Sequence, residues 1–185
     1  MMKNKTKDQL ADGLKKLMLS KPFEKITIKQ ICDETGVIRI TFYNYFVDKY
    51  EAMDYIIYRD ICLATFPYIN EKNFEKAILV LFYTIHQNLD FYHILFHSAQ
   101  AQQFEEYLMK NLTFMAQRIL DAYPKKLDLP DNLSEQMLRE FYAVVLIFAI
   151  KKHVFETPQL SPREMLEVYR KLIEVSSLLI TIDKG

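Results

Sequence analysis

Apolar residues recur along this chain at the three-to-four-residue spacing of amphipathic helices, almost from end to end. Thr6 followed by Gln9 has the T-x-x-Q form of a helix start, and Leu10, Leu14, Leu17 and Met18 fall on one face behind it. Ser20-Lys21-Pro22 ends that helix, with Phe23 and Ile26 as apolar anchors in the connection. Thr27 opens a second helix with Gln30 three residues on, and Ile28, Ile31, Cys32 and Thr35 share its inner face. Gly36 stands where a helix stops in a left-handed residue. A third helix is predicted from Arg39 to about Phe46. A fourth starts at an Asp48 N-cap, with Glu51 behind it, and runs to Thr65, where Pro67 stops it.

The remainder continues in the same period. Helices are predicted over Phe74–Asn88, a short Phe91–His97 and a long Ala101–Tyr123, and Pro124 and Pro130 bracket a loop. Asn132 with Glu135 caps a helix reaching about Phe155. Ser161-Pro162-Arg163-Glu164 starts a last one carrying Met165, Leu166, Tyr169, Leu172 and Ile173. With three glycines in 185 residues, the chain lacks the material for tight hairpins or a glycine-rich phosphate loop, and the fold class is all-α.

Charge refines this picture. The formal net charge is zero, but residues 1–50 carry ten basic against six acidic residues, a net of +4 that the rest of the chain balances. A basic end on an acidic body suits one nucleic-acid-facing surface. Cys32 and Cys62 form no C-x-x-C pair, which fits a reduced cytoplasmic protein. The N-terminus is basic with no apolar run behind it, against a signal peptide. The longest apolar run, Phe141–Ile150, is far short of the roughly 20 residues that span a bilayer.

The stretch Thr27–Tyr50 carries the most specific chemistry. Two short helices meeting at Gly36 have the spacing of a helix-turn-helix, about residues 27–46. On a helix from Arg39, Phe42, Tyr45 and Phe46 face inward. Arg39, Ile40, Tyr43 and Asn44 face outward, with Thr41 at the flank. Arg forks onto guanine, Asn pairs with adenine, Thr or Ile touches a thymine methyl, and a Tyr hydroxyl donates to phosphate. Thr27 stands at a helix N-terminus, which favours a phosphate, and Lys49 near the start of the fourth helix serves one by charge. The plain alternative for an amphipathic pair with a glycine corner is an ordinary helical hairpin. The aromatic run, the capped second helix and Lys49 together weigh against it.

These residues resemble the TetR/AcrR family of transcriptional regulators. The match lies in Phe23, Ile26-Thr27-Ile28, Ile31, Gly36-Val37, Thr41-Phe42-Tyr43, Tyr45-Phe46 and Lys49, across about residues 5–60. Tyr-Asn-Tyr-Phe and the short Phe91–His97 piece are similar, within that family, to regulators related to the dihydroxyacetone-kinase activator DhaS. The resemblance implies a three-helix DNA-binding domain over 1–48 and a helical ligand-binding and dimerisation domain over 49–185. It puts DNA-contact roles on Thr27, Lys29, Arg39, Thr41, Tyr43, Asn44 and Lys49, and Ile40 joins them from its outward position. Two residues depart from the family pattern. Ile38 replaces the usual Ser or Thr after the Gly-Val turn, and Ile40 replaces a small residue.

The implied function is a ligand-responsive repressor binding a near-palindromic duplex operator as a dimer. The competing reading is a co-activator or adaptor acting through protein partners, kept open by Ile38 and Ile40. The apolar helix at about 133–155 and the one at 162–181 form a plausible dimer face, two copies giving a four-helix bundle. The resemblance also implies a body pocket for a small apolar or aromatic effector, and Tyr58, Phe82, His86, Phe96, Phe104 and Tyr107 are its candidate lining. A tightly filled core accounts for the same aromatics equally well. His86, His93 and His97 have a metal-like spacing that a break at Asn88-Leu89-Asp90 spoils, so no metal or cofactor is expected. No residue set supports an enzyme.

Overall fold

The computed structural model describes residues 2–122, 133–156 and 160–181, with side chains described for 5–122, 133–156 and 160–174. Among the described residues there is no strand. The helices are α1 (Met2–Met18), α2 (Ile28–Thr35), α3 (Arg39–Tyr43), α4 (Lys49–Tyr58), α5 (Ala64–Asn70), α6 (Phe74–His86), α7 (Leu89–His97), α8 (Ala101–Ala122), α9 (Glu135–Phe155) and α10 (Pro162–Thr181). A single 3₁₀ turn, Phe23–Lys25, lies between α1 and α2, and a π turn, Arg59–Leu63, joins α4 to α5. No helix among the described residues is long and apolar enough to cross a membrane.

Helices α1–α3 pack as a small unit around Leu10, Leu14, Met18, Phe23, Ile31, Phe42 and Phe46, all buried. Burying side chains of this size contributes roughly 1.5–3 kcal/mol each. Gly13 lets α1 and α2 touch: a Cβ there would lie 2.2 Å from the Thr35 methyl. α1 begins upstream of Thr6, so the expected capping box is not used. Gln9 Nε2 instead donates to the Thr35 carbonyl at 2.6 Å, closing the end of α2.

Helix α4, the π turn and α5 form one long connection into the body. Pro67 was expected to end the fourth helix, but it lies inside α5. Its ring removes one backbone hydrogen bond, and the wider π turn immediately upstream accommodates the mismatch. The turn also points Asp60 inward. Asp60 accepts from Lys15 of α1 at 2.7 Å and from the Tyr92 hydroxyl of α7 at 3.1 Å, so one buried carboxylate joins three elements. Around it Arg59 pairs with Asp12 at 2.7 Å and Asp8 at 3.5 Å, and Phe23 meets Phe104 of α8 edge-on at 5.2 Å.

The body packs α6–α10 around Leu81, Phe82, Tyr92, Phe104, Leu108, Leu112 and Leu146. Ser134, not Asn132, caps α9 by accepting from the Met137 amide at 3.2 Å. Asn132 and the loop expected between Pro124 and Pro130 lie outside the described residues.

Candidate nucleic-acid interface

Local rules set the geometry of the α2–α3 pair. The Thr27 hydroxyl accepts from the Gln30 amide at 3.2 Å, and the Gln30 side chain accepts from the Thr27 amide at 3.0 Å, a complete capping box. Gly36 takes φ +68°, a left-handed residue that ends α2 and aims the chain into α3. Helix α3 is shorter than expected, Arg39–Tyr43. The backbone stays helical at Asn44, and the Phe46 amide still reaches the Phe42 carbonyl at 3.0 Å. Phe42 and Phe46 are buried against α1, α2 and Tyr55, which turns the opposite side of α3 to solvent.

The residues expected to meet DNA lie on α2 and on this side of α3. Thr27, Lys29, Arg39, Ile40, Tyr43 and Asn44 are exposed and Thr41 is half-buried. Arg39 Nη2 lies 3.5 Å from the Tyr43 hydroxyl, one turn along the helix. Ile38 and Ile40 are 67% and 73% exposed, and Ile38 occupies the N-cap of α3 without any side-chain cap.

Lys49 sits differently. Its ammonium donates to the carbonyls of Phe23 at 2.8 Å, Glu24 at 3.0 Å and Ile26 at 2.9 Å, and it lies over the Phe23 ring at 4.6 Å. An ammonium has three hydrogens. All three are engaged in holding the 3₁₀ turn against α4, whereas sequence reasoning reserved that charge for a phosphate. Nothing in the local sequence announces three carbonyls more than twenty residues away.

The aromatic set expected to line an effector pocket is mostly core. Phe82 and Phe104 are fully buried and Phe96 nearly so, in contact with Phe155. Tyr107 accepts from Gln103, and Tyr58 packs beside Phe66. Tyr58 lines a hollow of about 470 Å³ beside Asp54 and Lys110, but none of the six lines the apolar cavity of the body. That cavity, about 580 Å³, lies between α6, α8, α9 and α10, with Ile78, Met115, Ile119, Leu146, Leu166 and Tyr169 among its walls and the Glu75–Arg170 pair (3.0 Å) at its lining. Spacing alone does not separate a residue facing a void from one facing a neighbour.

His86 does have a partner, one the sequence did not suggest: its Nδ1 lies 3.2 Å from Nε2 of the buried His153. Burial, with His86 adding to it, lowers the His153 pKa to about 4. His93 and His97 each meet Phe155 edge-on, and among the described residues no group of three or more metal-ligating side chains converges. Burial raises both thiols, Cys62 to about 12, so neither has thiolate character near neutral pH.

Comparison with known proteins agrees with this architecture. Residues 72–175 match the TetR family model described as "Transcriptional regulator C-terminal region". No curated protein sequence matches significantly. Three solved structures superpose over nearly their whole length. "Dihydroxyacetone kinase operon activator DhaS" is 19% identical, with TM-score 0.67, covering 96% of this chain and 97% of that one. A putative TetR-family transcriptional regulator from Syntrophomonas wolfei is 17% identical, with TM-score 0.63, covering 95% and 96%. A TetR transcriptional regulator from Streptococcus agalactiae is 18% identical, with TM-score 0.54, covering 93% and 95%.

Proposed function

Because the chain belongs to the TetR family of transcriptional regulators, we propose that it is a cytoplasmic, dimeric, ligand-responsive repressor that reads a near-palindromic operator with α3. The observation that carries this is the outward face of α3: Arg39, Ile40, Tyr43 and Asn44 exposed together on a helix fixed from behind by Phe42 and Phe46. Arg39 and Asn44 are the base-reading groups, Thr41 and Ile40 their apolar companions, and Tyr43, Thr27 and Lys29 the phosphate contacts.

Dimerisation through α9 and α10 is supported by a stripe of exposed apolar residues. Met137, Phe141, Val144 and Phe148 recur along α9, and Val168 and Leu172 are exposed on α10. Such a stripe is rare on an isolated protein and suits a two-fold contact. The domain boundary near residue 48 follows, with α4 and its π turn as the link. An apolar effector would occupy the cavity between α6, α8, α9 and α10. By favouring one body conformation, it would tilt α4 and change the separation of the two α3 helices.

Binding of the full-length protein to its own upstream region, followed by gel shift and footprinting, tests this reading. A dimer neutralising roughly 6–8 phosphates should lose affinity with a log–log salt slope of roughly −5 to −7. Arg39→Ala should weaken one sequence preferentially. A protein that protects no duplex at low ionic strength would instead favour the adaptor reading, for which the bare Ile38 and Ile40 speak.

A further inference from the structure

Ile38 and Ile40 are the most exposed apolar pair flanking a base-reading residue, and they bracket Arg39 at the start of α3. Resting on the DNA-binding reading above, we propose that these two side chains read the 5-methyl groups of thymines adjacent to the guanine taken by Arg39, so that the operator half-site is selected by methyl groups as well as by hydrogen bonds.

Three observations converge. Ile38 holds the N-cap with extended backbone (φ −73°, ψ 151°) and makes no cap hydrogen bond, so its branched side chain projects beyond the first turn. The first turn of a recognition helix is the part that goes deepest into the groove. Ile40 is 73% exposed although Phe42, two residues on, is fully buried, so the helix sets Ile40 away from the core. Neither isoleucine has a polar atom with which to read a base edge. The one feature of the major groove complementary to an aliphatic group is the thymine methyl. The surroundings favour DNA as the occupant over an apolar protein surface. Arg39 and Tyr43 of α3 and Asn44 at its end are exposed with the isoleucines, and Lys29 is exposed on α2, so an occupant must meet a guanidinium and an amide as well as apolar groups, which a base edge with a neighbouring methyl does.

The test begins with selection of a preferred duplex by the full-length protein from a randomised library. Each thymine of that duplex is then replaced by deoxyuridine, which removes the methyl and leaves the hydrogen-bonding edge intact. Binding should weaken about fourfold for each contacted methyl, the equivalent of one buried methylene-sized group. The loss should occur only at the one or two positions beside the Arg39 guanine. Ile40→Ala and Ile38→Ser should each become indifferent to the substitution at one position while still binding DNA. A selected duplex on which no thymine-to-deoxyuridine change alters affinity would overturn the methyl readout and leave the DNA-binding reading standing. Failure to select any duplex would remove that reading itself. Variants that lose affinity equally for thymine and deoxyuridine duplexes would also overturn it, by assigning the isoleucines a purely structural part.

Discussion

The three N-terminal helices and the body behind them are held by different means. Around α2 and α3 the chain is set by short-range devices, the Thr27–Gln30 box, left-handed Gly36 and the Asp48 cap of α4, while the close approach at Gly13 and the Gln9–Thr35 bond tie α1 to α2. The body relies on apolar faces matched across long sequence separations, its buried polar groups gathered into a few sets such as Asp60 with Lys15 and Tyr92, or His86 with His153. A small unit with a thin core needs local devices to present a five-residue helix in one orientation. A body of long helices keeps its fold with a cavity of about 580 Å³ between them, room for the effector proposed above.

The sharpest way to break the comparison is at the joint. Lys15 and Asp60 are both largely buried and hydrogen-bonded, and burial pulls the Lys15 pKa down while Asp60 pushes it back up. Lys15→Met should lower stability by about 3–5 kcal/mol, because a buried carboxylate loses its cation. Arg59, whose Nε lies 3.7 Å from Asp60, offsets part of this and puts the loss toward the lower end of that range. Thermal unfolding by circular dichroism reads the loss. Lys15→Met combined with Asp60→Leu should recover most of it, since a matched apolar pair leaves no orphaned charge. A single mutant as stable as the parent would mean that apolar packing alone joins α1 to the body.

Next in size is Lys49. Lys49→Met removes three hydrogen bonds from a charged donor and should cost about 2–3 kcal/mol. A structural role and a phosphate role separate in the salt dependence. If Lys49 only clamps the 3₁₀ turn, the log–log slope of DNA binding stays as it was. If it also meets a phosphate in each half-site, the slope becomes shallower by about 2.

How much could be read in advance follows the same division. The caps at Thr27, Asp48 and Ser161, the stop at Gly36 and the inward set Phe42 and Phe46 depend on neighbours within four residues, and the chain displays them openly. What sequence reasoning missed depends on distant partners. Gln9 serves Thr35 and not Thr6, Lys49 serves the Phe23 turn, and His86 finds His153 across 67 residues. Pro67 is a different failure: the stop rule is sound, but a π turn upstream absorbs the proline. The aromatic residues of the body were legible as apolar but not as core or cavity wall, a distinction that lies in packing alone.

In the body, acid should reveal the buried histidine. His153 is held neutral, its pKa lowered to about 4 from the ordinary 6.5. Between those values the unfolded chain takes up a proton that the folded chain refuses, so stability falls as pH drops from 6.5 toward 4. It is fully present above that window. The slope approaches about 1.4 kcal/mol per pH unit. Urea midpoints measured at pH 7 and pH 5 should therefore differ, and His153→Gln should reduce the difference. An unchanged difference would assign the acid sensitivity to other groups.

The smallest effect sharpens the comparison most, because it has the opposite sign. Ile38 leaves the N-terminus of α3 uncapped although its backbone already has the extended geometry of a cap residue. Ile38→Ser should place a hydroxyl within reach of the Thr41 amide and stabilise the N-terminal unit by about 1 kcal/mol. The same change removes two-thirds-exposed apolar surface from the outward face of α3 and, if the proposed methyl readout holds, should weaken binding to the preferred duplex. Gain of stability with loss of affinity is the signature of a residue kept for contact at the expense of the fold. Loss of both would show that Ile38 packs against the unit more than its exposure indicates. The starts of α2 and α4 are capped and that of α3 between them is not, and this uncapped start faces outward, which makes Ile38 the residue through which stability and recognition can be measured against each other.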